Sequence, residues 1–237
     1  MFHYLGILIQ IVFFILLLSI DDNSLTLGSF NCTGIKSSIE YVSEMLYAKC
    51  DIIDLQEPWL LPHDLQICSS IHPSFCAFAT SSVDVGAGVI WGRPFGGLAF
   101  LYRRSFETQL SPLTYDDDRI LGLLYKDSTQ SILFLNVYFP TQTNEYFDNY
   151  LAMMGRVMTI IHTQGADAVV IMGDFNANIG TSFYDELNRS CTENEMVVVD
   201  VSCLPNNSYT HVSDAHNTIS WLDHVCCTLS VMLIILV

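Results

Sequence analysis

Two spacings of apolar residues run through this chain, one of about two residues and one of about 3.6. Ala168-Val169-Val170-Ile171-Met172 lies between Gly165 and Gly173 and predicts a strand buried on both faces. Residues 25–30 and 51–55 predict further short strands. Residues 120–125 and 131–138 flank the polar turn Lys126-Asp127-Ser128 and predict a hairpin. Glycines and Pro94 mark turns between two short strands within residues 86–102. Later strands are expected at 197–201, 208–211 and 218–227. Ile35, Ile39, Val42, Met45 and Leu46 keep helical spacing, which predicts an amphipathic helix over 36–48. A second helix over 144–162 has Tyr146, Tyr150, Leu151, Met154, Val157, Met158 and Ile161 on its inward stripe and Gly165 at its end. A third is expected over 182–193. Strands outnumber helices and the two clear helices are one-sided, so the pattern implies an α/β chain with two sheets face to face and helices outside.

The first residues stand apart. Residues 4–20 are almost wholly apolar, with Gln10 the main interruption, and Asp21-Asp22 closes the run. As a helix this segment would span about 26 Å, the lower limit for crossing a bilayer. No Lys or Arg precedes Lys36, so the basic flank of a signal peptide and the positive-inside cue are both missing. Residues 1–22 are therefore either a signal or membrane anchor or an incidental upstream segment, and residues 23–237 form one domain. Asn31-Cys32-Thr33 fits an N-glycosylation sequon at a residue assigned below to a site, which argues against a secretory route.

At 237 residues the chain suits one α/β domain. Nine basic against 25 acidic residues give a net charge of −16, which excludes a broad phosphate-tracking surface but suits a cation-dependent site. The eight cysteines show no C-x-x-C pair and no zinc spacing. Cys50 and Cys76 read as small core residues, and a reduced, intracellular state is expected.

Six polar residues stand where apolar strands end: Asn31, Glu57, Tyr138, Asp174, Asn176 and Asp223. A carboxylate or carboxamide there is expensive to desolvate unless something uses it. Asp174 and Asn176, two residues apart, point into one crevice. Singly, each has a plain structural reading. Asn31 suits a turn, Glu57 a cap before Pro58, Tyr138 a sheet edge, Asp174 an Asx-turn and Asp223 a pairing with a helix end. Together they suggest one site.

The words that carry these residues are Ser29-Phe30-Asn31-Cys32-x-Gly34, Asp51-Ile52-Ile53-x-Leu55-Gln56-Glu57-x-Trp59-Leu60 and Gly92-Arg93-Pro94-Phe95-Gly96-Gly97. Further on come Asn136-Val137-Tyr138-x-Pro140, Gly173-Asp174-Phe175-Asn176-Ala177 and Tyr209-Thr210-x5-His216-x4-Trp221-Leu222-Asp223-His224. In this order, over about residues 25–227, they resemble the endonuclease/exonuclease/phosphatase family of metal-dependent phosphodiesterases. Within it they are most similar to the endonuclease domain of non-LTR (LINE-type) retrotransposons.

That resemblance implies a four-layer α/β sandwich of two mixed sheets flanked by helices, DNA as substrate and Mg²⁺ or Mn²⁺ as cofactor. Glu57 would ligate the metal with Asn31 assisting, Asp174 would orient or deprotonate the attacking water, and Asn176 would hold water or phosphate. Tyr138 would hydrogen-bond a phosphoryl or leaving oxygen, and Asp223 would fix the tautomer of a histidine on the phosphate. Phosphodiester hydrolysis needs these functions: charge neutralisation, an aligned water and a stabilised leaving oxygen.

The family carries that histidine in a Ser-Asp-His word on a later strand. Here thirteen residues follow His224 and contain no such word, so the last strand or strands are expected to be missing and the site weakened. His224 adjoins Asp223 on a strand and should face the opposite side, while His211 and His216 fall on a loop. Two other readings stay open. One is a phospholipid or phosphoinositide phosphodiesterase or phosphatase of the same superfamily, favoured by the apolar start and the acidic charge. The other is a non-catalytic remnant anchored in a membrane through residues 4–20. The match at Trp59-Leu60 and Gly92 to Gly97 favours the retroelement nuclease.

Overall fold

Alternating and continuous apolar runs build two large sheets in the computed structural model, which describes residues 14–20, 23–43, 50–88, 92–213 and 217–231. The first sheet contains β1 (Phe14–Ile20), β2 (Asn23–Asn31), β3 (Ile52–Gln56), β4 (Phe75–Thr80) and β5 (Leu98–Arg103), in the order β1-β2-β3-β5-β4. The second contains β6 (Leu110–Thr114), β7 (Ile120–Lys126), β8 (Ser131–Tyr138), β9 (Ala168–Asp174) and β10 (Met196–Val198). After a small ribbon of β11 (His211–Ser213) and β12 (Thr218–Ser220), it is joined by β13 (Asp223–Thr228). Its order is β10-β13-β9-β8-β7-β6. Both sheets are mixed: β2 with β3 and β8 with β9 run parallel, and the other pairs are antiparallel.

Side-chain parity sorts the residues into four layers. Leu27, Ile52 and Phe100 of the first sheet pack against Phe134, Val170 and Val225 of the second. On the outer face of the first sheet, Ile53, Leu55 and Leu101 meet Ile35 of α1 (Ile35–Tyr41) and Cys68 of α2 (Gln66–Ser70). On the outer face of the second, Leu133 and Ile171 meet Tyr150 and Val157 of α3 (Phe147–Gln164) and Leu187 of α4 (Ser182–Glu193). The expected four-layer α/β sandwich is therefore observed.

Several local expectations change. Residues 14–20 form a strand paired with β2 along its whole length, not part of a helix, and residues 1–13, 21 and 22 lie outside the described residues. An apolar run cannot by periodicity alone be told from a buried strand, and here an open sheet edge decides it. No helix among the described residues is long and apolar enough to cross a membrane. The helix expected over 36–48 is described as far as Ser43, and 44–49 lie outside the described residues. Of the two strands expected within 86–102, β5 forms; Val85–Ala87 is a 3₁₀ turn, and residues 89–91 lie outside the described residues. β4, β6 and α2 were not expected. The strand expected at 197–201 gives way after Val198 to α5 (Val199–Cys203). The run over 218–227 is broken at Trp221-Leu222 into β12 and β13. All eight cysteines are free; Cys50 is buried and Cys76 is partly buried against the inter-sheet core.

Toward one end of the sandwich the inter-sheet layer turns polar. Ser29, Asp54, Gln56 and Asn136 are each fully or nearly fully buried there. Gln56 Nε2 donates to Asn136 Oδ1 on the opposite sheet at 2.8 Å and to Asp54 Oδ2 at 2.7 Å, while Ser29 Oγ donates to Asp54 Oδ2 at 2.9 Å. Asn136 Nδ2 in turn donates to the carbonyls of Leu55 and Ala99, each at 3.0 Å. Asp54 Oδ1 and Gln56 Oε1 have no hydrogen-bond partner among the described residues. Burial pushes the Asp54 carboxyl up to about 7 despite the Ser29 and Gln56 hydrogen bonds.

A second constraint lies at the end of β9. Gly173 has φ +140°, and a Cβ there would sit 2.1 Å from the Val137 carbonyl oxygen. Only glycine lets β8 and β9 approach this closely.

Two predictions follow from this packing. Folded Asp54 keeps its proton up to about 7 whereas the unfolded carboxyl releases it near 3.8, so the folded state binds more protons across that window and stability falls as pH rises through it. The full difference corresponds to about 4 kcal/mol. Urea midpoints should drop between pH 5 and pH 8, and Asp54→Asn should flatten the drop; an equal drop in the variant overturns this account. Gly173→Ala should lose about 2–4 kcal/mol through backbone strain and overpacking, and an unchanged urea midpoint would contradict the clash.

Candidate active site

Strand register gathers the polar residues immediately above the buried polar layer, Asn31 two residues beyond Ser29, Tyr138 two beyond Asn136 and Glu57 one beyond Gln56. Tyr138, Asp174 and Asp223 lie abreast on β8, β9 and β13, because Asp174 is the register partner of both others. On the first sheet Asn31 pairs in register with Gln56, and Glu57 follows directly. The two groups meet across the gap between sheets. Asn31 Nδ2 donates to Glu57 Oε1 at 2.9 Å and to Asp174 Oδ2 at 3.0 Å, although Asn31 and Asp174 are 143 residues apart in sequence. All six expected residues converge on this end of the sandwich.

Glu57 is held in an unusual conformation. It has φ +55°, a left-handed value that a residue with a Cβ adopts only when its surroundings impose it. Its N–H donates to the Gly97 carbonyl at 3.1 Å and its carbonyl accepts from Gly34 at 2.8 Å. Its second carboxylate oxygen accepts from the Trp59 indole N–H at 2.9 Å, and Trp59 is also left-handed, at φ +52°. Trp59 carries the Arg93 guanidinium 3.8 Å from its ring centroid.

Asp174 accepts from Asn176 N–H at 2.9 Å through Oδ1, the Asx-turn that the Gly-Asp-Phe-Asn word suggests. Asn176 sits at φ +50°, tolerable for asparagine, and its Nδ2 donates to the Phe139 carbonyl at 3.0 Å. Burial, then the neighbouring Asp223 and Glu57 charges, hold the Asp174 carboxyl well above the carboxylate range, with hydrogen bonds from Asn176 and Asn31 opposing them. Burial also lifts Asp223 to about 7, aided by Asp54 and Asp200 and opposed by its hydrogen bond with Thr210. The Tyr138 phenol is pushed up by burial and by Glu57 and Asp174, so it stays a proton donor at any ordinary pH. Arg119 lies 5.0 Å from the Tyr138 ring centroid and donates to its carbonyl at 3.3 Å.

Asp223 does not orient a histidine among the described residues. His224, next to it on β13, is fully buried on the opposite face, with Nδ1 2.8 Å from Asp200 Oδ2 and Nε2 2.8 Å from the Ala177 carbonyl. It cannot reach the crevice, as strand alternation requires. His211 is exposed on β11, and His216 lies outside the described residues.

Hard oxygen donors suited to a magnesium-like ion are present in Glu57, Asn31 and Asp174. Like charges are crowded around Asp174, and the neutral carboxamide of Asn31 bridges it to Glu57, so a divalent cation held by Glu57 and Asn31 would relieve that repulsion. No group of three or more His, Cys, Asp or Glu side chains among the described residues forms a preformed cage. The sequence did not single out Arg93 on Trp59, Arg119 on Tyr138, or the buried layer of Asp54, Gln56 and Asn136. Parity along β3 and β8 would have found the last, since Asn136 lies two residues before Tyr138.

No family model matches the sequence, and no curated protein matches it. Solved structures do match by fold. The 3′ phosphatase NExo from Neisseria, bound to a product DNA hairpin, superposes with a TM-score of 0.65 at 12% identity, covering 87% of this chain and 87% of that one. The endonuclease domain of TRAS1, a telomere-specific non-LTR retrotransposon, gives 0.61 at 14% identity over 87% and 86%. An endonuclease/exonuclease/phosphatase family protein from Bacteroides thetaiotaomicron gives 0.62 at 17% identity over 88% and 84%. Two mixed sheets in this order, with carboxylates and amides meeting at one end between them, give the chain the endonuclease/exonuclease/phosphatase fold.

Proposed function

We propose that this chain is a divalent-cation-dependent phosphodiesterase that nicks DNA, as the endonuclease domain of a retroelement does. The observation that carries the reading is the Asn31 carboxamide joining Glu57 of one sheet to Asp174 of the other. It brings a candidate hard-cation ligand and a candidate base together at one end of the sandwich. The sequence words at Trp59-Leu60 and Gly92 to Gly97 support the retroelement type. Two fold neighbours support nucleic-acid chemistry, one crystallised with a DNA hairpin and one being a retrotransposon endonuclease domain. The lipid-directed reading leaned on residues 4–20 as an anchor, and residues 14–20 instead complete a sheet.

Bound at Glu57 and Asn31, a Mg²⁺ or Mn²⁺ ion would neutralise charge on the phosphoryl oxygens. Asp174, fixed by Asn31 and the Asn176 N–H, orients the attacking water and takes its proton. The Tyr138 hydroxyl, kept protonated by its anionic neighbours, donates to a phosphoryl or leaving oxygen. Asn176 holds the β9 end closed by tying it to the Phe139 carbonyl. Asp223 acts on Asp174 through charge, and no imidazole among the described residues takes part.

With Mg²⁺ the purified chain should nick supercoiled plasmid, and EDTA should stop it. Glu57→Gln and Asp174→Asn should each reduce nicking by about 10²-fold or more. Nicking at the wild-type rate in both variants would refute the assignment. Because Asp174 must lose a proton that its surroundings hold, the rate should rise with pH. Asp223→Asn removes a like charge beside it and should move that rise to lower pH; a pH profile that stays in place would contradict the coupling.

A further inference from the structure

The Gly92-to-Gly97 loop plays no part in the chemistry above, yet it is locked to the cation-ligand turn. Gly97 accepts from the Glu57 N–H at 3.1 Å, and Gly96 accepts from the Trp59 N–H at 3.2 Å. Gly97 N–H donates to Ser82 Oγ at 2.8 Å. Gly97 has φ +83°, and a Cβ there would lie 2.7 Å from the Thr80 carbonyl oxygen, so the close approach needs glycine. Arg93 stacks its guanidinium on the Trp59 indole, whose N–H is bonded to Glu57. The loop therefore has a fixed position relative to the site, through two backbone bonds and one stacked pair.

What the loop presents is a cation beside a bare aromatic ring. Five of the eight described basic residues, Lys36, Arg103, Arg104, Arg156 and Arg189, are tied to carboxylates, whereas Arg93 has no carboxylate partner among the described residues and is exposed. Phe95, two residues on, is 62% exposed, the highest value among the exposed large hydrophobic side chains. Under Arg93 and Pro94 lies a hollow of about 210 Å³ bounded by Gly34, Lys36 and Trp59. In an otherwise acidic chain, a guanidinium with no carboxylate partner among the described residues and an exposed aromatic ring, on a loop bonded to the Glu57 turn, match a nucleic-acid strand, whose repeating unit is an anion and a flat base.

We infer that the Gly92-to-Gly97 loop is a strand-holding arm, with Phe95 stacking an unpaired nucleobase next to the scissile phosphate and Arg93 contacting a flanking phosphate. This deepens the proposed function and rests on it. It makes the substrate a DNA strand with an unstacked base beside the cut, not a small phosphate ester.

Binding tests the arm without any need for catalysis. Fluorescence anisotropy with a labelled 20-nucleotide single strand, and with its duplex, would be measured in EDTA for the full chain. The variants are Phe95→Ala, Arg93→Gln and, as a control, Lys126→Gln, which lies at the opposite end of β7 from the site. Phe95→Ala should weaken single-strand binding about 5- to 150-fold, with a smaller loss on duplex. Arg93→Gln should lower the slope of log affinity against log salt by about 0.7 on the single strand. Lys126→Gln should change neither. Single-strand affinity within twofold of wild type in Phe95→Ala, an unchanged slope in Arg93→Gln, or no DNA binding by the wild type would each overturn the arm. Hydrolysis of bis(p-nitrophenyl) phosphate with Mg²⁺ reads the active site independently. Its absence alongside intact, Phe95-dependent binding counts against the hydrolytic reading and not against the arm.

Discussion

Three carboxyl groups, Asp54, Asp174 and Asp223, are drawn between two sheets, and removing them from water is the constraint on which the polar end of this molecule depends. Each is stabilised by hydrogen-bond partners: Ser29 and Gln56 for Asp54, Asn31 and the Asn176 N–H for Asp174, and Thr210 for Asp223. The donors do not fully compensate, and all three carboxyls stay raised. Two of the hydrogen bonds, Gln56 to Asn136 and Asn31 to Asp174, cross from one sheet to the other. Neutral carboxamides therefore align the sheets where anions cannot. The same bonds that make the burial tolerable also set the spacing of Glu57 from Asp174.

That arrangement explains why the left-handed backbone occurs where it does. Glu57 and Trp59 each adopt a conformation that costs about 1–2 kcal/mol. Backbone bonds to Gly34, Gly96 and Gly97 hold them. The turn after β3 can then aim a carboxylate inward and an indole outward within three residues. The indole returns a hydrogen bond to that carboxylate, so the strained turn is braced by its own product.

Much of this was legible in the sequence, for reasons that differ by element. The β7–β8 hairpin, β9 and α3 follow directly from period and from terminating glycines. Strand ends carrying Asn31, Glu57, Tyr138, Asp174, Asn176 and Asp223 were visible because polar residues interrupt otherwise apolar runs. The apolar run before β2 lacks alternation and does not by itself specify an element; pairing with the edge of β2 makes residues 14–20 a strand. The glycines of the Gly92-to-Gly97 loop serve backbone contacts with the turn after β3 that no local rule encodes. Which strand end touches which is likewise not local: Asn31 and Asp174 meet only through the packing of two sheets. The arginines on Trp59 and Tyr138 escaped notice because ring stacking leaves no spacing signature.

The Asp223-His224 dipeptide shows how little chain separates reactivity from architecture. Successive residues on β13 face opposite layers, so the carboxylate enters the crevice while the imidazole ties α5 to the turn after Asn176 through Asp200 and the Ala177 carbonyl. A slip of β13 by a single position against β9 would exchange them, placing a titratable base among the carboxylates and an uncompensated anion beneath the helices. The fidelity of one strand's pairing thus separates a silent scaffold histidine from a reactive one.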